Sequence, residues 1–354
     1  MSVTRSDVAK HAGVSEATVS NVMNNVEGKV SQEVRGRVLK SVQELGYVPN
    51  ESAKRLIEKR YADASASGNL THNIGCIIYK GFNKFSNYIY AGIMEGVENE
   101  IRKNNYHLYF YYKSNELAES PVLFNKMINT DSVDGLITIS TQLEDIREQV
   151  LSRIKNIISI GEPLGNTGNI DCIVFDEHQV GVDAVKYLAG LGHKSIGFVG
   201  VTQLTTNKRF LGYKDALKSL GLLYDGNIVK LNIEGKELSM RGLGYSNMRY
   251  ILDSAGKAPT AVFVADDEAS IGVYKAIMEK GLKIPDDISV LTCGNSSKLD
   301  DLEPGITSFV LKVDEVAVIA VKRLLERIKN PAIGPIKTTV PYRLVEHASC
   351  KKIQ

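Results

Sequence analysis

The stretch VTRSDVAKHAGVSEATVSNVMNN, residues 3–25, reads as two short helices joined by a tight turn. Thr4 can cap the first helix, with Asp7 three residues on as a short capping-box partner. Val8, Ala9 and Ala12 share one face, and Gly13 supplies the left-handed residue that ends the helix. Ser15 caps a second helix whose Val19, Val22 and Met23 lie together. Ser31 caps a third, with Val34, Val38, Val42 and Leu45 at helical spacing and Gly46 closing it. Pro49 then breaks the chain, and Asn50 caps a short fourth stretch through about Ile57. Two helices around a glycine turn with a third behind them form a helix-turn-helix pattern, although any small three-helix bundle shares the spacing. The outer face of the second helix carries Glu16, Ala17, Ser20, Asn21 and Asn24. Small polar groups near a helix N-terminus suit phosphate and base-edge contact in a major groove, which favours DNA reading.

Working outward, KRYADASASGNLTHN (59–73) is small and polar and reads as a flexible linker. From Ile74 the texture changes. Candidate strands are 74–79, 107–112, 134–139, 156–160, 171–175, 195–200, 227–231, 260–264 and 287–292, with amphipathic helical patterns between them. This alternation predicts parallel sheets covered on both faces. The number of strands favours two α/β subdomains over one sheet. After about residue 304 the order becomes an apolar helix around 314–329 and a terminal strand around 337–345.

Composition narrows the function classes. The chain has 354 residues, 43 Lys+Arg against 41 Asp+Glu, 43% hydrophobic and 24% charged residues. These are globular values, and a net charge of +2 excludes a uniformly basic nucleic-acid coat or an acidic tail. The first sixty residues hold ten basic and seven acidic side chains, so the small positive excess sits there. Cys76, Cys172, Cys293 and Cys350 show no metal or disulfide spacing. The N-terminus lacks the apolar core of a signal peptide, and no apolar run approaches the ~20 residues that span a bilayer. The expectation is a cytoplasmic protein without a membrane segment. Gly192-His193-Lys194-Ser195 lacks the glycine spacing of a phosphate loop, and His193 reads as a packing residue. The clusters Asp266-Asp267-Glu268 and Asp300-Asp301 come without converging histidines or a nucleophile signature and read as solvated turns. Nothing points to a cofactor or an enzyme.

The run quoted above, then VS (30–31) and GYVPNESAKRLIEK (46–59), resembles the headpiece of the LacI (lactose repressor) family. The hinge signature recurs as Tyr47, Pro49, Asn50, Ala53 and Leu56. The resemblance implies a helix-turn-helix headpiece with hinge helix at 1–58, a linker at 59–73, and a periplasmic-binding-protein-like core of two Rossmann-like subdomains at 74–350. It implies base contacts from Glu16, Ala17 and Asn21, and phosphate contacts from Ser6, Ser15, Thr18, Ser20, Asn24 and Ser31. Asn50, Ala53, Lys54 and Leu56 would bind DNA from the hinge, with Leu56 as a minor-groove wedge. Asn21 departs from the arginine that many relatives carry, and Asn favours adenine where Arg favours guanine. The linker is also longer than in relatives.

The pieces LGHKSIGFVG (191–200), RFLGYKDAL (209–217), PTAVFVADDEASIGVYKAI (259–277) and LEPGITS (302–308) carry the resemblance through the core. It implies a ligand cleft between the subdomains, with Tyr79, Tyr90, Asp176, Arg209, Asp266 and Asn295 as ligand contacts. Gly161 and Gly294 stand where relatives commonly place Asp. The expectation is a homodimeric repressor on a pseudo-palindromic operator, controlled by a saccharide-like effector. A protein corepressor is the second reading, and a solute-binding or sugar-processing protein the third. Effector identity, operator, and induction against corepression are not legible in the residues.

Overall fold

The computed structural model describes residues 3–23, 29–45, 47, 70–81, 88–161, 163–164, 170–200, 204–231, 239–254, 256, 258–294, 299 and 301–353. The fourth stretch, most of the linker, and the candidates Asn24, Asn50, Ala53, Lys54, Leu56 and Asn295 lie outside them. The chain divides into two compact units, Met1–Leu70 and Thr71–Gln354.

In the first unit α1 (Arg5–Ala12), α2 (Glu16–Met23) and α3 (Gln32–Leu45) form as the caps dictate. Thr4 Oγ1 accepts from the Asp7 amide, and Asp7 Oδ2 accepts from the Thr4 amide at 2.8 Å, which satisfies two helix-end donors. Gly13 ends α1 at φ 64°, a conformation that costs a residue with a Cβ. Ser15 Oγ accepts from the Thr18 amide at 3.1 Å, and Ser31 Oγ from the Val34 amide at 3.3 Å. Val8, Ala9, Ala12, Val19, Val22 and Val38 make the core, and Ser41 Oγ lies 3.1 Å from His11 Nδ1, tying α3 to α1.

The second unit holds two six-stranded sheets. The first contains β1 (Asn73–Ile78), β2 (His107–Lys113), β3 (Gly135–Ile139), β4 (Ile157–Gly161), β5 (Asp171–Phe175) and β11 (Lys337–Val340), in the all-parallel order β11-β5-β4-β3-β1-β2. The second contains β6 (Ile196–Val199), β7 (Val229–Lys230), β8 (Ala261–Val264), β9 (Ser289–Cys293), β10 (Thr307–Val310) and β12 (Arg343–Val345), in the order β12-β10-β9-β8-β6-β7, with only β12 antiparallel.

Both faces of each sheet are buried, and the period of two shows how. Ile74, Cys76 and Ile78 of β1 face a core shared with α4 (Tyr88–Lys103) and α12 (Val313–Lys329), while Ile77 faces the opposite core. On that opposite side lie α5 (Ser114–Ala118), α6 (Pro121–Met127) and α7 (Arg147–Arg153). In the second sheet Val262 and Val264 face α10 (Met240–Ser254) and α11 (Asp267–Glu279). Ala261 and Phe263 face α8 (Glu177–Gly190) and α9 (Leu204–Ser219). Burying one such side chain stabilises the fold by roughly 1.5–3 kcal/mol. The α8–α9 pair packs backbone to backbone: a Cβ on Gly181 would stand 2.0 Å from the Arg209 carbonyl oxygen, and one on Gly212 2.0 Å from that of His178.

All nine expected strands are present, with ends within two residues of those read from the sequence. Two features differ. β10 was not anticipated, because half of its four residues are the polar Thr307 and Ser308, buried at 0% and 3% exposure. The single terminal strand expected at 337–345 is two strands in different sheets. Pro341 stands between them, and its ring removes the amide a continuous ladder would use.

The chain therefore passes between the subdomains three times: at Asp176 after β5, at Leu311-Lys312 after β10, and at Pro341-Tyr342 after β11. Its entry is pinned separately. The amides of Thr71 and His72 donate to the two carboxylate oxygens of Asp134 at 2.7 and 2.8 Å, at the foot of β3. His193 is buried between Thr260 Oγ1 (3.0 Å) and the Lys351 carbonyl (3.1 Å), and burial lowers its pKa.

Candidate functional site

The first unit presents one polar helix face. With Val19 and Val22 buried beneath, α2 turns Glu16 and Ala17 to solvent and leaves Thr18, Ser20 and Asn21 half-buried. Ser15 sits at its N-cap, its Oγ 2.9 Å from Thr18 Oγ1. So α2 and its cap gather six of the expected contacts; Ser6 lies on α1 and Ser31 caps α3. Glu16 is not idle: its Oε2 accepts from Arg5 Nε at 3.3 Å. Both side chains are about half exposed, so the pair is weak and can exchange for a base edge.

In the second unit the two sheets share one strand order, in which the second strand lies on one side of the first and the third on the other. Such a reversal opens a crevice at the carboxyl ends of the strands, here between β1 and β3 and between β6 and β8. At the first crevice the Tyr79 amide donates to the Ile139 carbonyl at 3.2 Å, and its ring lies over Gly81. Tyr90, in the first turn of α4, packs partly buried against the core under α12.

At the second crevice Asp266 follows β8 and caps α11, its Oδ1 accepting from the Ala269 amide at 2.8 Å. Burial, then the neighbouring Asp267 carboxylate, raises its pKa to about 6, against the lowering effects of the cap bond and of Arg209. Asp176 caps α8 in the same way, accepting from the Gln179 amide at 3.2 Å. Arg209 lies 7% exposed and heavily engaged. Its Nε donates to Glu177, its Nη1 to the Ala265 carbonyl, and its Nη2 to Tyr342 Oη at 3.0 Å; Tyr342 in turn donates to Glu177 Oε1 at 3.0 Å. Burial disfavours the guanidinium charge, but Cys293, Glu177 and Tyr342 more than offset it and raise the pKa.

The two glycines that replace expected carboxylates have specific surroundings. A Cβ on Gly161 would meet Ser140 Oγ at 2.7 Å. At Gly294, φ +154°, a Cβ would stand 2.3 Å from Asp267 Cγ, so the Asp267 carboxylate fills the space beside that glycine. Asp267, Glu177, Tyr342 and Asn247 were missed as candidates. Asn247 is fully buried, its Nδ2 donating to the Gly200 carbonyl at the end of β6 while its Oδ1 has no partner among the described residues. Glu177 and Asp267 carried a signal, each as a second acid beside Asp176 or Asp266 at a strand end. Tyr342 and Asn247 are separated from the crevice by too much sequence to be read. Among the described residues no cluster of three His, Cys, Asp or Glu could hold a metal, and no helix is long and apolar enough to cross a membrane.

Comparison with known proteins gives a family match in each of the two units. The family of bacterial regulatory proteins, lacI family, matches residues 4–50, and the periplasmic binding protein-like domain matches residues 185–350. The chain is 28% identical to catabolite control protein A of Priestia megaterium, across 99% of this chain and 100% of that protein. It is 27% identical to the ribose operon repressor of Escherichia coli K12, across 98% and 99%. Among solved structures, the lac repressor dimer bound to operator and the anti-inducer ONPF superposes with a TM-score of 0.75 at 22% identity, covering 99% and 100%. The complex of the transcriptional regulator CelR with cellobiose gives 0.68 at 24%, covering 98% and 99%.

Proposed function

We propose that this chain, a member of the lacI family by its DNA-binding domain and its periplasmic binding protein-like domain, is a homodimeric repressor of transcription whose hold on DNA is set by a small hydroxyl-rich effector. The observation that carries the reading is α2, an exposed polar face on a helix-turn-helix at the start of a chain whose relatives are named as repressors. Two such faces in a dimer read two half-sites of a pseudo-palindrome, because one offers too few base contacts for specificity. Glu16, Ala17 and Asn21 read bases. Ser6, Ser15, Thr18, Ser20, Asn24 and Ser31 hold phosphates, and Asn50, Ala53, Lys54 and Leu56 act from the hinge. The effector lies between the two crevices, where Asp176 and Asp266 accept hydroxyls and Tyr79, Tyr90, Arg209 and Asn295 complete the wall. Closing that cleft shifts the equilibrium between two arrangements of the subdomains and so changes operator affinity. The reading assigns no catalytic residue and no cofactor, and places the protein in the cytoplasm.

Selection of bound sequences from a random duplex pool with the full-length protein is the test. A symmetric, gapped consensus is expected, with binding that weakens steeply as salt rises. Asn21→Arg should shift the preference at one position of each half-site toward guanine, by about 1–3 kcal/mol of discrimination. Equal binding to all sequences overturns the reading. A thermal-shift screen of sugars, sugar phosphates and nucleobases then tests the effector. A response to none of them, with DNA binding enhanced by a partner protein, transfers control to a protein corepressor.

A further inference from the structure

Arg209 draws three segments to one point. Glu177 follows the first passage between the subdomains, Tyr342 lies in the third, and Ala265 ends β8 of the second sheet. Two of these partners also bond each other, since Tyr342 Oη donates to Glu177 Oε1. The Tyr342 ring is shared as well: it meets Phe175, the last residue of β5, edge-on at 6.4 Å, and lies under the Arg209 guanidinium at 5.5 Å. It packs against the cores of both subdomains. The remaining passage, Leu311-Lys312, lies beside the third: Val310 pairs with Arg343 where β10 meets β12, and Glu315 meets both Lys312 Nζ at 3.0 Å and Arg343 Nη2 at 3.2 Å.

Hinge motion is absorbed at a few residues between rigid bodies, here the three passages. We propose that Glu177 and Tyr342 are positioning residues that clamp the first and third passages to Arg209, so that these two move as one hinge element with the second subdomain. The two residues act on the hinge and not on the ligand, so the assignment stands whatever the effector is. The charged, doubly bridged geometry suits a clamp: a buried guanidinium holds its partners at fixed angles, and a network of bonds that share partners opens together.

Hydrogen exchange on the full-length protein without ligand tests this, using Tyr342→Phe. That change removes the hydroxyl between Arg209 and Glu177 but keeps the ring against Phe175. Peptides covering 172–180 and 338–345 should both exchange about three- to tenfold faster, and those covering 121–127 of α6, in the core on the opposite face of the first sheet, should keep the parent rate. Faster exchange in 338–345 alone makes Tyr342 a local packing residue and overturns the clamp. A uniform rise in all three, or no change, does so as well. Glu177→Gln, which keeps an acceptor and loses the charge, should give the same paired pattern. Should Glu177→Gln fail to fold, the Tyr342→Phe pattern decides alone.

Discussion

The two subdomains of the core share a strand order but bury their charges at opposite ends. In the first, Asp171 opens β5 at 0% exposure and takes Arg323 Nε at 2.8 Å, Arg327 Nη1 at 3.0 Å and the Ile336 amide at 2.8 Å. This network sits at the foot of the sheet, far along the strands from the crevice, and joins β5 to α12 and to the turn before β11. In the second subdomain the buried charges Arg209 and Glu177 lie at the carboxyl ends of the strands, beside Asp266. The same chemistry thus serves different ends. At the foot it staples elements together. At the mouth, it stands beside a carboxylate at the crevice and at two of the three passages between the subdomains.

The contrast can be broken in three places. Asp171→Ala leaves two guanidinium groups without their shared carboxylate and should cost about 3–5 kcal/mol in urea unfolding. A loss under about 1 kcal/mol would mean the foot network is no staple. Asp266→Asn is the corresponding test at the mouth and has the opposite sign. The folded-state pKa of Asp266 is raised from 3.8 to about 6, so the folded protein binds that proton more tightly than the unfolded chain. The Asp266 contribution to stability is therefore most favourable below about pH 4, falls as pH rises toward about 6, and stays lowered above it. Asn keeps the cap on α11 and removes the charge, so stability at pH 7.5 should rise by on the order of 1–2 kcal/mol, and the decline between those pH values should flatten. An unchanged pH profile would show that Asp266 is not held apart from solvent. The smallest effect belongs to Glu326, which meets Arg323 Nη1 at 2.7 Å but is 53% exposed. Glu326→Gln should shift stability by less than about 1 kcal/mol, which separates the buried carboxylate of the foot from its solvated neighbour.

Much of the architecture was legible because it is local. Thr4, Asp7, Gly13 and Ser15 specify the ends of α1 and α2 through bonds spanning four residues or fewer, and the strands announce themselves as apolar runs. β10 was hidden because Thr307 and Ser308 are polar yet buried, their hydroxyls bonded to the carbonyls of His347 and Gly294. At the crevice, Asp176 and Asp266 were legible as acids at strand ends. The engagement of Arg209 was not: its hydroxyl partner is 133 residues away, and only folding reveals that Tyr342 and Glu177 take up its donors. The carboxylate beside Gly294 escaped for the same reason, since Asp267 reaches that space from a different strand end.

The Asp134 carboxylate that receives the amides of Thr71 and His72 has a mechanical consequence. Tension arriving along the chain from its N-terminal side is delivered at the foot of β1, whose neighbours β2 and β3 both run parallel to it. A pull along that axis loads the ladder in shear, with its hydrogen bonds sharing the force instead of parting one at a time. Along that axis β2 and β3 therefore take the load together, before any one strand peels away.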